Sequence, residues 1–188
     1  EVVVEAILTD KARTGKGGTQ LTPFDPNNIV GVDVGTSGAS GLNITKLLKA
    51  RQILHSSGMD MSEPIFVGVT SVQDLDLAGI EQITNFDYNN NKPLATGVFK
   101  EWNNFNFVHI EGSKDKKILP TNAQGYRVLP VWTKASVHLG LQSNLRVRIT
   151  EESTNNFSQQ IWMEGIYGAT RTEENLVAQI LCSEAIIN

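Results

Sequence analysis

Two glycine-rich stretches are the first places where chemistry could sit. Gly35-Thr36-Ser37-Gly38-Ala39-Ser40-Gly41 follows a strand-like Val32-Asp33-Val34 and precedes a helix. A phosphate-binding turn needs the order G-x-G-x-x-G, so that backbone N–H groups converge on the anion. Here the glycines stand three apart and the first close pair is missing, which reads as a loop. Thr14-Gly15-Lys16-Gly17 lacks the upstream glycine and the Ser or Thr after Lys that a P-loop requires, and also reads as a loop. Three pairs of carboxylates are near neighbours: Asp74 with Asp76, Glu151 with Glu152, and Glu173 with Glu174. Acid–base work needs two carboxyls converging on one cleft with their pKa values pushed apart. Adjacent residues of a strand point to opposite faces, so neither Glu pair converges if extended, and a solvated surface is expected for all three.

Nucleophiles and metal ligands are equally sparse. There is no G-x-S-x-G, and the single cysteine, Cys182, lies in the apolar run Ile180-Leu181-Cys182, where it reads as a small buried hydrophobe. One cysteine removes any internal disulfide framework and any Cys-rich zinc site. His55, His109 and His138 contain no HExxH and no i, i+4 pair, and His138, in Val137-His138-Leu139, is expected to be packed. Trp102, Trp132 and Trp162 lack the regular spacing of a stacking platform and suit core or interface anchors. Asn43-Ile44-Thr45 and Asn156-Phe157-Ser158 match the glycosylation sequon, but the first is better explained as a helix cap. Arg146 and Arg148 share one face of a strand, with room for Glu151, as a phosphate-facing patch, an intersubunit ion pair or a solvated face. No cofactor and no metal site is expected.

The composition bounds the answer further. In 188 residues, 40% are hydrophobic and 19% charged, too apolar for a disordered chain and sized for one domain or part of a larger one. Sixteen basic and twenty acidic side chains give a net charge of −4, which argues against coating nucleic acid over the whole surface. No apolar run approaches the ~20 residues that span a bilayer. The start, Glu-Val-Val-Val-Glu-Ala-Ile-Leu, has neither a basic n-region nor an initiator Met, and reads as the inside of a longer protein.

The elements that would position these residues follow from periodicity. Val3, Val4, Ile7 and Leu8 form one face of a helix end over 1–9. Residues 10–41 hold seven glycines and two prolines and read as a loop or extended arm, with a short strand-like Ile29-Val30-Gly31-Val32. A helix is predicted over 43–57: Asn43 caps it, Leu42 and Leu47 staple it, and Gly58 stops it. Its 3.6-residue stripe is Ile44, Leu47, Leu48, then Arg51 and Leu54, with Lys46, Lys49 and Gln52 outward. Pro64 to Thr70 reads as a strand covered on both faces, followed by a short helix, capped by Thr70 or Ser71, that carries Val72, Leu75 and Leu77. Phe105 and Phe107 alternate with Asn106 and Val108 in a strand. From Val137 two long alternating runs, around Leu145 to Thr150 and Ser158 to Tyr167, predict an antiparallel hairpin with one polar face, and Leu176 to Cys182 is a further strand.

The order of these pieces resembles the tailed-phage major capsid proteins with the Hong Kong 97-type fold. The helix Lys46-Leu47-Leu48-Lys49-Ala50-Arg51-Gln52-Ile53-Leu54 matches the family's Lys-Leu-x-x-Ala-x-x-Ile-Leu. Thr84-Asn85-Phe86-Asp87-Tyr88 matches its Thr-x-x-Asp-Tyr, and Gly97 with Phe105-Asn106-Phe107-Val108 matches a glycine and an aromatic strand. Gly168-Ala169-Thr170-Arg171-Thr172-Glu173-Glu174 and the strand Leu176 to Cys182 match its close. Asn104 departs from the pattern, which has glycine before the Phe. At the front, the family's N-terminal arm, extended loop and long spine helix are missing, save the tail of that helix.

The resemblance implies an α+β fold: an axial α/β domain plus part of a peripheral domain with a long antiparallel hairpin. Residues 1–40 would be the end of the spine helix and an extended loop, 41–140 the axial domain, 141–165 the peripheral hairpin, and 166–188 a strand returning to the axial sheet. It implies a structural protein, not an enzyme, that self-assembles as hexamers and pentamers into an icosahedral phage head. The head would enclose double-stranded DNA without sequence-specific binding. Further partners would be other virion proteins such as portal or decoration proteins, with no membrane. The location would be the virion, after assembly in the host cytoplasm. Expected capsomer contacts are Asp87, Tyr88, Trp102, Lys114, Lys116, Arg146, Arg148, Arg171 and Glu173, with the polar turns 85–104 and 112–125 at the axial tips. The alternatives are a secreted or surface carbohydrate-binding module using the Asn- and aromatic-rich segment 85–107, and an enzyme holding a nucleotide at loop 35–41.

Overall fold

The computed structural model describes residues 4, 11–14, 17–84, 99–110, 119–155 and 157–184. Val4 is helical and buried; the rest of the helix end expected over 1–9 lies outside those residues. The stretch 10–41 is more ordered than its glycine content suggests. Strands β1 (Lys11–Thr14) and β2 (Gln20–Pro23) pair antiparallel, from Lys11 opposite Pro23 to Thr14 opposite Gln20. A short 3-10 turn, Pro26–Asn28, is capped by the Asp25 carboxylate and leads into β3 (Ile29–Val30).

Helix α1 (Ile44–Ser56) forms as its sequence requires. The Asn43 side chain accepts a hydrogen bond from the Lys46 backbone N–H at 2.8 Å, and Gly58 follows the last turn at φ +90°. Its buried face is Leu47, Ala50 and Leu54, at i, i+3 and i+7, joined by Lys46. Leu48, expected in the stripe, is exposed. Strand β4 (Ile65–Val69) is buried apart from Phe66, whose ring stacks on Trp132. Helix α2 (Ser71–Ala78) starts at Thr70, whose N–H and hydroxyl both donate to the Gln73 side-chain oxygen. Leu77 and Gln73 are its buried residues; Val72 and Leu75 face outward, against expectation. A one-turn helix, α3 (Glu81–Thr84), follows.

These pieces cover a six-stranded mixed sheet built from β3, β4, β5 (Glu101–Trp102), β6 (Phe105–His109), β7 (Arg127–Thr133) and β10 (Val177–Cys182). The order is β3-β10-β7-β4-β6-β5, with β3–β10 and β4–β6 parallel and the other pairs antiparallel. The middle strands are buried on both faces, which is why they read as near-continuous apolar runs. Pro130 is tolerated inside β7 because the β4–β7 ladder ends one residue earlier, at Val67 opposite Val131. The core runs from Leu47 and Leu54 through Ile65, Val67 and Phe105 to Leu129 and Ile180. The last two strands, β8 (Val137–Glu152) and β9 (Ser158–Arg171), form a separate antiparallel pair. Their pairing begins with Val137 opposite Arg171.

Candidate assembly surfaces

The hairpin presents two chemically different faces. In register, Val147 lies opposite Met163 and Ile149 opposite Ile161; nearer the base, Leu141 lies opposite Tyr167 and Leu139 opposite Ala169. Two register shifts each add one residue to β8, between Leu141 and Arg146. Two added residues preserve the alternation, so both groups share one face. That face carries Leu139, Leu141, Val147, Ile149, Ile161, Met163 and Tyr167, all exposed. Seven large apolar side chains in one strip exceed the scattered exposure normal for a folded chain and mark an interaction surface. On the other face Arg146 lies opposite Glu164, and Arg148 opposite Trp162, with the Arg148 guanidinium 6.0 Å from the indole centroid. Glu151, expected beside the two arginines, is on the apolar side, opposite Gln159.

The base of the hairpin is tied to the sheet. The Arg171 guanidinium is buried, 5.0 Å from the Phe24 ring centroid, and its Nε donates to Glu174 at 2.9 Å. Thr170 donates to the Arg13 carbonyl, Thr172 to the Ala135 carbonyl, and Asn28 to the Glu174 carbonyl. The Thr172 N–H donates to the Ser136 carbonyl. These bonds fix the angle at which the hairpin leaves the body.

A second polar cluster closes the far end of the sheet. Lys46, expected to point outward, is 0% exposed. Its ammonium donates to the carbonyls of Ser40, Gly41 and Leu181 at 2.7, 2.8 and 3.0 Å. All three of its donors are thereby matched, which is the condition for burying a charge. Burial nonetheless holds its pKa below the usual lysine range, against the opposing pull of Cys182, Asp76 and Asp33. Asp76 accepts from the Leu42 N–H at 2.8 Å and presses on Gly41, where a Cβ would come within 2.3 Å of the carboxylate. Burial raises its pKa more than Leu42 and Lys46 lower it. Arg127 is buried and meets Glu184 with two bonds of 2.7 Å, Nε to Oε1 and Nη2 to Oε2. Cys182 is fully buried in this corner, and burial pushes its thiol up to about 12. That is an inert thiol.

Asp74, Asp76 and His138 depart from expectation, whereas Glu151 and Glu173 are exposed. Asp74 pairs with His109, and Asp76 is half-buried, so neither is a solvated surface group. His138 is exposed on the hairpin rather than packed. His55 accepts from Arg51 Nε at 3.0 Å. Among the described residues no cluster of His, Cys, Asp or Glu could hold a metal, and no helix is long and apolar enough to cross a membrane. Loop 32–40 is closed on itself by the Ser40 N–H donating to the Val32 carbonyl, with the Asn43 side chain on Val34.

Of the residues expected to make contacts, Arg146, Arg148 and Glu173 are exposed, and Trp102 is half-buried against Phe105. Arg171 is buried within the chain. Asp87, Tyr88, Lys114 and Lys116 lie outside the described residues. Sequence reading missed Lys46 and the exposed apolar strip. The alternation that carries the strip was visible; that nothing in the described chain covers it was not.

Comparison with known proteins bears directly on these surfaces. A family model described as phage capsid protein matches residues 1–184. No curated protein matches. Among solved structures, the chain is similar to the capsid of cyanophage Pam1, with a TM-score of 0.67 at 12% identity, over 98% of this chain and 64% of that one. It is similar to the capsid of cyanophage P-SCSP1u, with a TM-score of 0.61 at 13% identity, over 98% and 60%. A third likeness is to the SrpI encapsulin of Synechococcus elongatus PCC 7942, with a TM-score of 0.54 at 12% identity, over 98% and 61%. The chain thus spans less than two thirds of the length of each, and shares with them the α+β, Hong Kong 97-type fold expected from its sequence. The family match and the shared fold lead to one conclusion: the chain belongs to the phage capsid protein family.

Proposed function

We propose that copies of this protein, as hexamers and pentamers, tile a closed icosahedral phage head around double-stranded DNA, which they enclose without reading its sequence. The observation that carries this reading is the apolar strip of the hairpin, exposed among the described residues, on a base bonded to the body at Thr170, Arg171 and Thr172. Such a strip is costly on a free monomer and useful in a shell, where large surfaces made of many modest contacts join copies edge to edge. The mild acidity suits a container that must release its DNA. Residues 41–140 then form most of an axial domain, 141–165 the reach of a peripheral hairpin, and 166–188 the return towards the axial sheet. Arg146, Arg148, Glu173 and Trp102 are available to neighbours as placed; Asp87, Tyr88, Lys114 and Lys116 belong to the same set of contacts. Portal and decoration proteins are further partners, and the virion, assembled in the host cytoplasm, is the location. Neither the family nor the fold supports a carbohydrate-binding module, and the shell role assigns no catalytic residue.

The test is to express the protein at its full natural length and view it by negative-stain microscopy. Closed particles of uniform size are expected. A protein that stays monomeric at high concentration under all salt conditions overturns the proposal. Ile149→Ser combined with Met163→Ser should leave the thermal midpoint of the monomer within a few degrees and raise the concentration needed for particles.

A further inference from the structure

Phe157 stands where the long hairpin reverses. Strand β8 ends at Glu152, a 3-10 turn occupies Ser153–Asn155, and β9 begins at Ser158. The Phe157 backbone is left-handed, at φ +58°, and its side chain is 71% exposed. Each property is unusual for phenylalanine. Glycine and asparagine reach left-handed backbone with less strain, and a wet turn selects polar side chains. Folding of the turn therefore calls for Gly or Asn, and solubility for anything but an aromatic ring. Neither explains phenylalanine. An exposed, strained residue is instead a pointer to function.

The position of the ring indicates where to look for its partner. Strand β9 has 14 residues, so the tip stands about 45 Å from Arg171 at the rise of an extended strand. The bonds that seat the hairpin, at Thr170, Arg171 and Thr172, all lie at the opposite end. The apolar strip climbs towards the tip through Val147 and Met163 to Ile149 and Ile161, and the polar pair Glu151–Gln159 stands between it and the ring. We propose that Phe157 is an anchor that seats the hairpin tip in an apolar recess of a second copy of this chain. This rests on the shell reading: where one subunit is repeated throughout, what a projecting tip meets is another copy, by a heterologous contact repeated around the shell. A single aromatic in a desolvated recess is the kind of residue that carries a disproportionate share of an interface.

Three variants of the full-length protein separate the roles of the ring. Phe157→Asn and Phe157→Gly relieve the left-handed strain and should hold or raise the thermal midpoint of the unassembled protein. Both should raise the critical concentration for particles at least tenfold. Phe157→Tyr keeps the ring and should assemble within about threefold of the original concentration. Particles that form at the original concentration with Asn or Gly at this position overturn the anchor and leave the shell reading intact. An unchanged protein that forms no particles overturns both. Incorporating p-benzoylphenylalanine at position 157 and irradiating assembled particles should give a cross-linked species of twice the chain mass. Cross-linking only within one chain, or only to a different protein, overturns the assignment of a second copy.

Discussion

The Lys46 ammonium and the Leu181 carbonyl, 135 residues apart in sequence, meet at 3.0 Å and bind the start of α1 to the end of β10. The same ammonium holds Ser40 and Gly41, so one cation fixes a loop, a helix and a strand. Replacing a buried ion by an apolar residue is sometimes neutral, because both partners can be removed together. Here the partners are backbone carbonyls and stay behind. The Ser40 carbonyl keeps the Ser183 N–H, but the other two lose the ammonium. Lys46→Met should therefore cost about 2–6 kcal/mol in urea denaturation, at roughly 1–3 kcal/mol for each of the two stranded acceptors. Hydrogen exchange should accelerate at Leu181–Ser183 before it does in β4 and β7. A Met variant as stable as the parent would show that the tripod contributes nothing.

Asp76 sets a pH dependence whose sign is fixed by its burial. Its pKa is raised in the folded state, so the fold holds that proton more tightly than the unfolded chain does. The contribution is fully present below about pH 4, where unfolded aspartate titrates, and is lost as pH rises through the raised folded value. Asp76→Asn keeps an oxygen for the Leu42 N–H and removes the titration. The parent should lose urea stability relative to this variant between pH 4 and pH 7. An unchanged difference across that range would show that burial is not what raises the carboxyl. Lys46 acts at the other end: its folded pKa is lowered, so the cost of keeping it charged fades as pH climbs from that lowered value towards the ordinary lysine range.

Arg127 and Glu184 form a fork-to-fork pair with the arginine buried and the carboxylate partly exposed. Glu184→Ala leaves the buried guanidinium its Nη1 bond to the Leu119 carbonyl but no carboxylate, and should cost ~2–3 kcal/mol, at or below the lower end for breaking a buried pair because water reaches the carboxylate side. A double-mutant cycle with Arg127→Met should show coupling well above the ~0.2–1 kcal/mol of exposed pairs. Additive effects would mean that the pair does no more than fill space.

Much of the fold was legible from residues alone, because local signals and burial agree there. Asn43, Leu47 and Gly58 mark α1; the unbroken Ile65 to Val69 marks a strand covered on both faces; the alternation after Val137 marks the hairpin. The failures share a cause, which is that type and spacing do not say what covers a residue. Lys46 reads as outward because lysine usually is, and only three carbonyls converging from Ser40, Gly41 and Leu181 reverse that. Val72 and Leu75 read as core at helical spacing yet face out, while the polar Gln73 is buried to close the cap at Thr70. Lys11 to Pro23 reads as loop because its glycines hide two four-residue strands that carry no strong alternation. Of the candidate contacts, the Arg146 and Arg148 face follows directly from alternation, whereas the burial of Arg171 depends on Phe24 and Glu174, which no spacing rule brings to it.

Asn104 is the most instructive single position, because the family pattern has glycine there. Asn103 and Asn104 adopt φ +47° and +68° and make the two-residue turn between β5 and β6, where consecutive left-handed residues match the twist of the strands. Asparagine tolerates this backbone, and at 104 it adds something glycine lacks: its Nδ2 donates to the Glu63 carbonyl at 2.6 Å, tying the turn to the segment that enters β4. Asn104→Gly should keep the turn and lose that tie, changing stability by no more than about 1 kcal/mol. Asn104→Val should cost ~2–3 kcal/mol, since a β-branched residue is strained at positive φ and cannot make the bond. If valine were tolerated as well as glycine, the left-handed turn would not be what positions Phe105 in the core between β4 and β5.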